Sequence, residues 1–79
     1  MGGRMLLNEL RVGQKATIKA IPSDKFLNLK LMSFGVFVGD QIEITAKAPF
    51  GGPICLKHLN NSFFALRKSY AEKIVIENC

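Results

Sequence analysis

The residues able to support catalysis in this chain are few. His58 is the only histidine among 79 residues, and no carboxylate stands within several positions of it in the sequence. Activation of a nucleophile needs a base, most often a histidine that a carboxylate orients. We therefore expect no hydrolase-type centre and no catalytic residue, and we predict that the chain is not an enzyme.

Metal ligands are also sparse. Cys55 and His58 stand three residues apart, but residues at that spacing on a strand point to opposite faces, and two further ligands for a structural zinc ion are missing. Gly51-Gly52 is not followed by the Lys-Ser/Thr pair of a phosphate-binding loop. The carboxylates lack the spacing of a cation-binding loop; they are Glu9, Asp24, Asp40, Glu43, Glu72 and Glu77. We predict neither a metal site nor a bound cofactor.

The charge balance raises the question of an anionic partner. Eleven basic and six acidic residues give a net charge of +5, but the basic residues are dispersed and Arg67-Lys68 is their only adjacent pair. Four phenylalanines lie in strongly apolar runs, where packing is a simpler role than stacking on bases; they are Phe26, Phe34, Phe63 and Phe64. A small basic barrel that binds nucleic acid or another anion is therefore the alternative interpretation, and we expect no nucleic-acid partner.

The elements that would carry these residues are short. Turn residues recur every eight to twelve positions, which is typical of a small all-β unit. Alternation predicts one strand over residues 14–21, with Ala16, Ile18 and Ala20 buried. It predicts a second over residues 41–48, in which the inward side chains are Ile42, Ile44, Ala46 and Ala48.

The second half of the chain reads as further strands. A hairpin loop is predicted at residues 48–53. Two strands follow at residues 54–59 and 62–66, and Asn60-Asn61 joins them. A helical turn at residues 68–73 then leads to a last strand at residues 74–76. About five strands with one inserted helix predict a mainly all-β fold, a small SH3-like barrel forming one domain over residues 1–79. No uncharged stretch is longer than the nine residues of 31–39, which is too short to span a bilayer, so the expected compartment is the cytoplasm.

The inserted helix is predicted over residues 23–34, with Ser23 as its N-cap and Gly35 as its left-handed stop. Leu27, Leu31 and Phe34 share one face; a second apolar arc holds Phe26, Leu29 and Met32. Two interpretations of the second arc stay open. Either the N-terminal segment at residues 5–7 covers it, or it is a docking face for a partner.

Several fragments together resemble one known family. They are Leu10-Arg-Val-Gly-Gln, Leu31-Met-Ser-Phe-Gly-Val-Phe-Val-Gly-Asp, Ala48-Pro-Phe-Gly-Gly-Pro-Ile, Ala65-Leu-Arg and Ala71-Glu-Lys-Ile. Their order and spacing resemble the FeoA family, ferrous iron transport protein A, over nearly the whole chain.

The resemblance implies a cytosolic, SH3-like accessory protein of ferrous iron uptake. Its implied partner is the membrane transporter FeoB, whose cytosolic part binds GTP, so the protein would reach the inner face of the cell membrane through that partner. A self-associating homo-oligomer is a further interpretation. We expect an apolar docking surface with basic residues at its edge; the predicted partner-binding residues are Leu29, Lys30, Met32, Phe37, Phe50 and Arg67.

Overall fold

A computed structural model describes residues 4–58 and 61–78 of the chain. The strands are β1 (Arg4–Leu6), β2 (Lys15–Ala20), β3 (Gln41–Lys47), β4 (Ile54–His58), β5 (Phe63–Leu66) and β6 (Val75–Asn78). The helices are α1 (Lys25–Ser33) and α2 (Lys68–Ala71), and a 3-10 turn covers Leu7–Glu9. The strands form one antiparallel sheet in the order β1-β6-β2-β3-β4-β5, which confirms the mainly β prediction.

The structure adds a strand to the five expected from the sequence. β1 pairs with β6, so that Arg4 lies opposite Glu77 and Leu6 opposite Val75. Three residues cannot show an alternating pattern, and this strand exists because β6 lies beside it. Leu59, the last residue of the predicted strand 54–59, and Asn60, in the predicted turn, lie outside the described residues. Asn61 has the left-handed φ of 69° expected of a turn asparagine.

Apolar side chains from one face of the strands form a single buried cluster. Every strand from β2 to β6 and α1 contribute to it. A single sheet whose strands all bury side chains in the same cluster must curl around it. The central members are Ile18, Leu27, Leu31, Ile42, Ile44, Leu56, Leu66 and Ile76.

Three alanines predicted to face the core are exposed instead. The pairing of β3 with β4 shifts register between Ile44 and Ala46, and the pairing of β2 with β6 shifts between Ile18 and Ala20. An irregularity of this kind moves the following side chains to the other face. The predictions for Ala20, Ala46 and Ala48 were therefore wrong, although both strands exist where the alternation placed them.

The N-cap of helix α1 lies one residue later than predicted. Its N-cap is Asp24, not Ser23, because the Asp24 Oδ1 accepts a hydrogen bond from the Leu27 N–H at 3.1 Å. At the other end, Gly35 takes a left-handed φ of 70°, and the Val36 N–H turns back to the Leu31 carbonyl at 3.0 Å. The predicted inner face is confirmed, since Leu27 and Leu31 are buried.

Asp24 makes the stability of the fold sensitive to acid. The Leu27 N–H lowers the pKa of the Asp24 carboxyl, and the Lys73 ammonium at 3.3 Å adds to this effect, against the opposing effect of burial. Because the pKa in the folded state is below its ordinary value, ionised Asp24 contributes stability above about pH 4 that is lost as the pH falls through the lowered pKa. Asp24→Asn keeps an N-cap acceptor but has no carboxyl at this position. The acid-induced loss of stability that Asp24 causes should therefore be absent in this variant.

Urea unfolding of both proteins between neutral and acidic pH measures this effect. We expect the wild type to be the more stable at neutral pH and the difference to shrink below about pH 4. Glu72→Gln, which removes an exposed carboxyl from the end of α2, is the control for loss of one negative charge. If the difference in the free energy of unfolding between wild type and Asp24→Asn were constant over the whole pH range, Asp24 would not be the source of this acid sensitivity.

Candidate functional site

The outer face of α1 is an exposed apolar surface. Leu29 is 54% exposed and Met32 is 59% exposed, although α1 is fixed to the core by Leu27 and Leu31 on its other face. Residues 4–6 of the N-terminal segment form β1 and pair with β6. The structure therefore does not support the interpretation in which this segment covers the arc, because the side chains of the arc are exposed to solvent.

The turn after α1 extends this apolar surface. Phe37 is 54% exposed and Val38 is exposed beside it. A cavity of about 440 Å³ lies between α1 and this turn. Its lining is mainly apolar and consists of Ile21, Asn28, Leu31, Met32, Val36, Phe37 and Val38. We call Leu29, Lys30, Met32 and Phe37 the helix surface; Lys30 is half-buried at its edge.

A hydrogen-bonded carboxylate fixes the turn that carries Phe37. The Asp40 Oδ2 accepts a hydrogen bond from the Phe37 N–H at 2.9 Å and lies 2.9 Å from the His58 Nε2. The Asp40 N–H in turn donates to the Phe37 carbonyl at 3.0 Å. The position of Phe37 is therefore set by the end of β4 as well as by its own turn.

The partner of His58 could not be read from the sequence. Asp40 stands 18 positions earlier, and only the pairing of β3 with β4 brings the two side chains together. His58 is buried, and it lies on the opposite face of β4 from Cys55, as their spacing predicts. The geometry gives His58 a structural role, which is to hold Asp40 and through it the turn at Phe37.

The other two predicted site residues lie at the far end of the sheet. β3 separates the turn at Phe37 from the hairpin loop at Phe50, and six strand steps cover about 20 Å. Arg67 belongs to the hairpin side, because the preceding Leu66 pairs with Ile54 just after that loop. The structure thus brings Leu29, Met32 and Phe37 together with Lys30 beside them, and does not bring Phe50 and Arg67 to the same place.

Two of the four phenylalanines expected to pack are exposed, although helical periodicity had also placed Phe26 on the outer arc of α1. Phe26 lies in the first turn of α1 and Phe63 begins β5 on its outward face, where the Lys57 ammonium lies 5.9 Å from the ring centre. Phe34 and Phe64 do pack, with stacked rings 4.7 Å apart. A position in an apolar run therefore does not predict burial when the side chain lies on the outward face of its strand or helix.

Within residues 4–58 and 61–78, no three side chains of His, Cys, Asp or Glu come together as a metal site would require. In the same part of the chain, no helix is long and apolar enough to cross a membrane.

The sequence itself matches a known family model. A model of the FeoA domain matches residues 5–78, which is nearly the whole chain. The chain belongs to the FeoA family. FeoA proteins are accessory proteins of ferrous iron transport, and this membership implies that general role for the chain.

Solved FeoA structures share the fold closely. The crystal structure of an iron uptake regulatory protein (FeoA) is 25% identical with a TM-score of 0.85, over 98% of this chain and 100% of that one. The NMR structure of a FeoA-like protein from Clostridium acetobutylicum is 33% identical with a TM-score of 0.82, over 99% of this chain and 90% of that one. These matches confirm the SH3-like prediction.

The same fold occurs in a longer protein of another kind. A manganese-dependent transcriptional repressor is 19% identical with a TM-score of 0.88, over 100% of this chain and 44% of that one. At this identity the likeness concerns the fold alone. A search of curated proteins gave no match.

Proposed function

We propose that this FeoA-family protein is a cytosolic module that binds and modulates the membrane transporter FeoB through its helix surface. It would act at the inner face of the cell membrane, brought there by the transporter. The observation that carries the proposal is the exposure of Leu29, Met32 and Phe37 on α1 and the turn after it, where Met32 and Phe37 line one cavity.

The energetics favour a docking role for this group. Full burial of a leucine, methionine or phenylalanine side chain contributes about 1.5–3 kcal/mol, and these three are more than half exposed. Leu27 and Leu31 hold α1 against the core, and Asp40 holds the turn at Phe37. A surface that is ordered before binding loses little conformational entropy on association, so more of the burial energy is available for affinity.

Lys30 supplies a positive charge at the edge of the apolar group. Asp24, which caps α1, pairs with Lys73, and Asp40 pairs with His58. Both carboxylates near the helix surface are thus engaged within the molecule. A charge at the edge of an interface mainly affects the association rate and its dependence on salt.

Replacing Leu29 or Met32 by glutamine tests the proposal. Each change should weaken binding to full-length FeoB in nanodiscs about ten-fold, because each removes one apolar contact from the centre of the surface. Titration calorimetry measures the affinity, and circular dichroism checks that the fold is retained. Val12→Gln is the matched control, since Val12 is an exposed apolar residue away from α1.

Two results would count against the proposal. One is an absence of binding between the wild-type protein and FeoB. The other is equal affinity of the Leu29→Gln, Met32→Gln and Val12→Gln proteins. Light scattering of the free protein identifies the remaining case, in which a second copy of the chain covers the helix surface.

A further inference from the structure

The segment from the middle of β3 to the end of α2 has a one-sided charge. Residues 44–71 contain no aspartate or glutamate, and all six carboxylates of the protein lie before or after them. The same segment holds four basic residues, which are Lys47, Lys57, Arg67 and Lys68. Three of these flank the β3–β4 hairpin loop: Lys47 ends β3, and Arg67 and Lys68 follow β5.

An aromatic side chain stands at the tip of this hairpin. Phe50 is fully exposed and has a left-handed φ of 59°, a conformation that costs a residue with a side chain roughly 1–2 kcal/mol. Hydrogen bonds from the Ala48 N–H to the Pro53 carbonyl and from the Gly52 N–H to the Pro49 carbonyl close the loop. Phe50 gains no packing in the folded chain that would offset this strain, and backbone strain at an exposed position is a sign of function.

A recess lies behind the tip, between two of the cations. Its volume is about 210 Å³. The Lys47 ammonium is held at its edge by a hydrogen bond of 2.9 Å to the Asn8 carbonyl, and the Lys68 side chain passes beside Gly51. The lining residues are Asn8, Lys47, Ala48, Gly51, Gly52, Ile54 and Lys68. We define Lys47, Phe50, Arg67 and Lys68 as the hairpin end. It thus consists of one protruding aromatic ring and three basic side chains behind it.

We propose that the hairpin end contacts the surface of an anionic lipid bilayer, with Phe50 in the interfacial region and the three cations at the headgroup phosphates. Charge complementarity supports this partner, because three cations surround the tip and the segment 44–71 itself carries no carboxylate, although Glu9 follows Asn8 at the recess and Glu72 stands one turn after Lys68. The shape of the tip supports it as well. A protein partner would need a pocket matched to a single protruding ring, whereas the interfacial layer of a bilayer accepts aromatic side chains without one.

The bilayer contact is separate from the docking proposed for the helix surface. The two lie at opposite ends of β3, about 20 Å apart, so both can be occupied at once. A protein that binds a membrane transporter by one end would then rest on the surrounding lipid by the other. Each contact can fail in experiment without the other.

Vesicle co-sedimentation of the full chain tests the bilayer contact. The protein should bind vesicles of phosphatidylcholine with phosphatidylglycerol, should not bind phosphatidylcholine alone, and should dissociate as salt is raised. Phe50→Ala should weaken binding about ten-fold. Lys68→Glu should weaken it by about five-fold or more, which is the order of effect of one cation near an anionic surface.

Matched variants on α1 control for general effects. Phe26→Ala removes another exposed aromatic ring, and Lys25→Glu makes the same change in net charge as Lys68→Glu. Both should leave vesicle binding unchanged. Phe50→Gly separates binding from folding: glycine relieves the left-handed strain, so this variant should unfold at a higher temperature than Phe50→Ala while binding vesicles equally weakly.

Three results would overturn the proposal. The first is no binding of the wild type to anionic vesicles. The second is an equal loss in Lys25→Glu and Lys68→Glu, which would mean that only net charge matters. The third is binding of a single-stranded oligonucleotide with the same dependence on Phe50 and Lys68, because the hairpin end would then recognise an anionic polymer instead of a bilayer.

Discussion

Replacement of Leu31 by alanine is expected to lower the free energy of unfolding by about 3 kcal/mol. Leu31 is 1% exposed and packs in the core, and its carbonyl accepts the Val36 N–H that closes the end of α1. The truncated side chain would leave a cavity between α1 and the sheet. A domain of this length has a total stability of roughly 4–12 kcal/mol, so this one change removes a large part of it.

Leu29→Ala is the matched control, because it is the same substitution two residues earlier on the same helix, at a position 54% exposed. Its effect on stability should stay within about 0.5 kcal/mol. Urea denaturation followed by circular dichroism measures both variants. Similar losses in the two proteins would mean that the outer face of α1 is covered after all, and the docking proposal would lose its main support.

Replacement of Asp40 by alanine should cost about 2–3 kcal/mol of folding free energy. The Asp40 Oδ2 is the shared acceptor for the Phe37 N–H and the His58 imidazole, each at 2.9 Å. Without it, the buried His58 Nε2 is left without an acceptor, while the exposed Phe37 N–H can bond to water but loses the contact that fixes its turn. A buried donor left without an acceptor costs more than the net gain from an ordinary hydrogen bond.

Asp40→Asn separates the hydrogen bonds from the charge. The asparagine carbonyl oxygen can accept from both donors, so we expect this variant to lose less than half as much stability as Asp40→Ala. Thermal and urea unfolding at neutral pH measure the two side by side. Equal losses would show that the negative charge beside His58, and not the pair of hydrogen bonds, stabilises this turn.

The local elements of the fold were predictable, while their irregularities were not. Alternation located β2 and β3, and the capping and stop residues located α1 to within a residue or two. The exposure of Ala20 and Ala46 depends on shifts in strand register, and these arise from pairing between distant segments. β1 is too short to carry a pattern of its own and depends on β6 for its existence.

The candidate site was predictable as a set of residue types but not as an arrangement. Leu29 and Met32 follow from helical periodicity, because the opposite face of α1 is plainly the buried one. The separation of Phe50 from Phe37 follows from the length of β3, which the sequence indicated, although the two residues were grouped as one surface. The bond between Asp40 and His58 has no sequence signal, since its partners stand 18 positions apart and meet only across a formed strand pair.

The position of β6 in the sheet sets the order in which the chain can assemble. β6 is the last strand in sequence, yet it lies between β1 and β2 and makes two of the five strand pairings. The β3–β4–β5 meander can form from neighbouring segments, whereas the other half of the sheet must wait until residues 75–78 are present. Pairing between distant segments slows folding, because chain entropy is lost before contacts form. A nascent chain that stops before β6 leaves one edge of β2 without its neighbour, and the unpaired N–H and C=O groups of such an edge favour pairing with another chain.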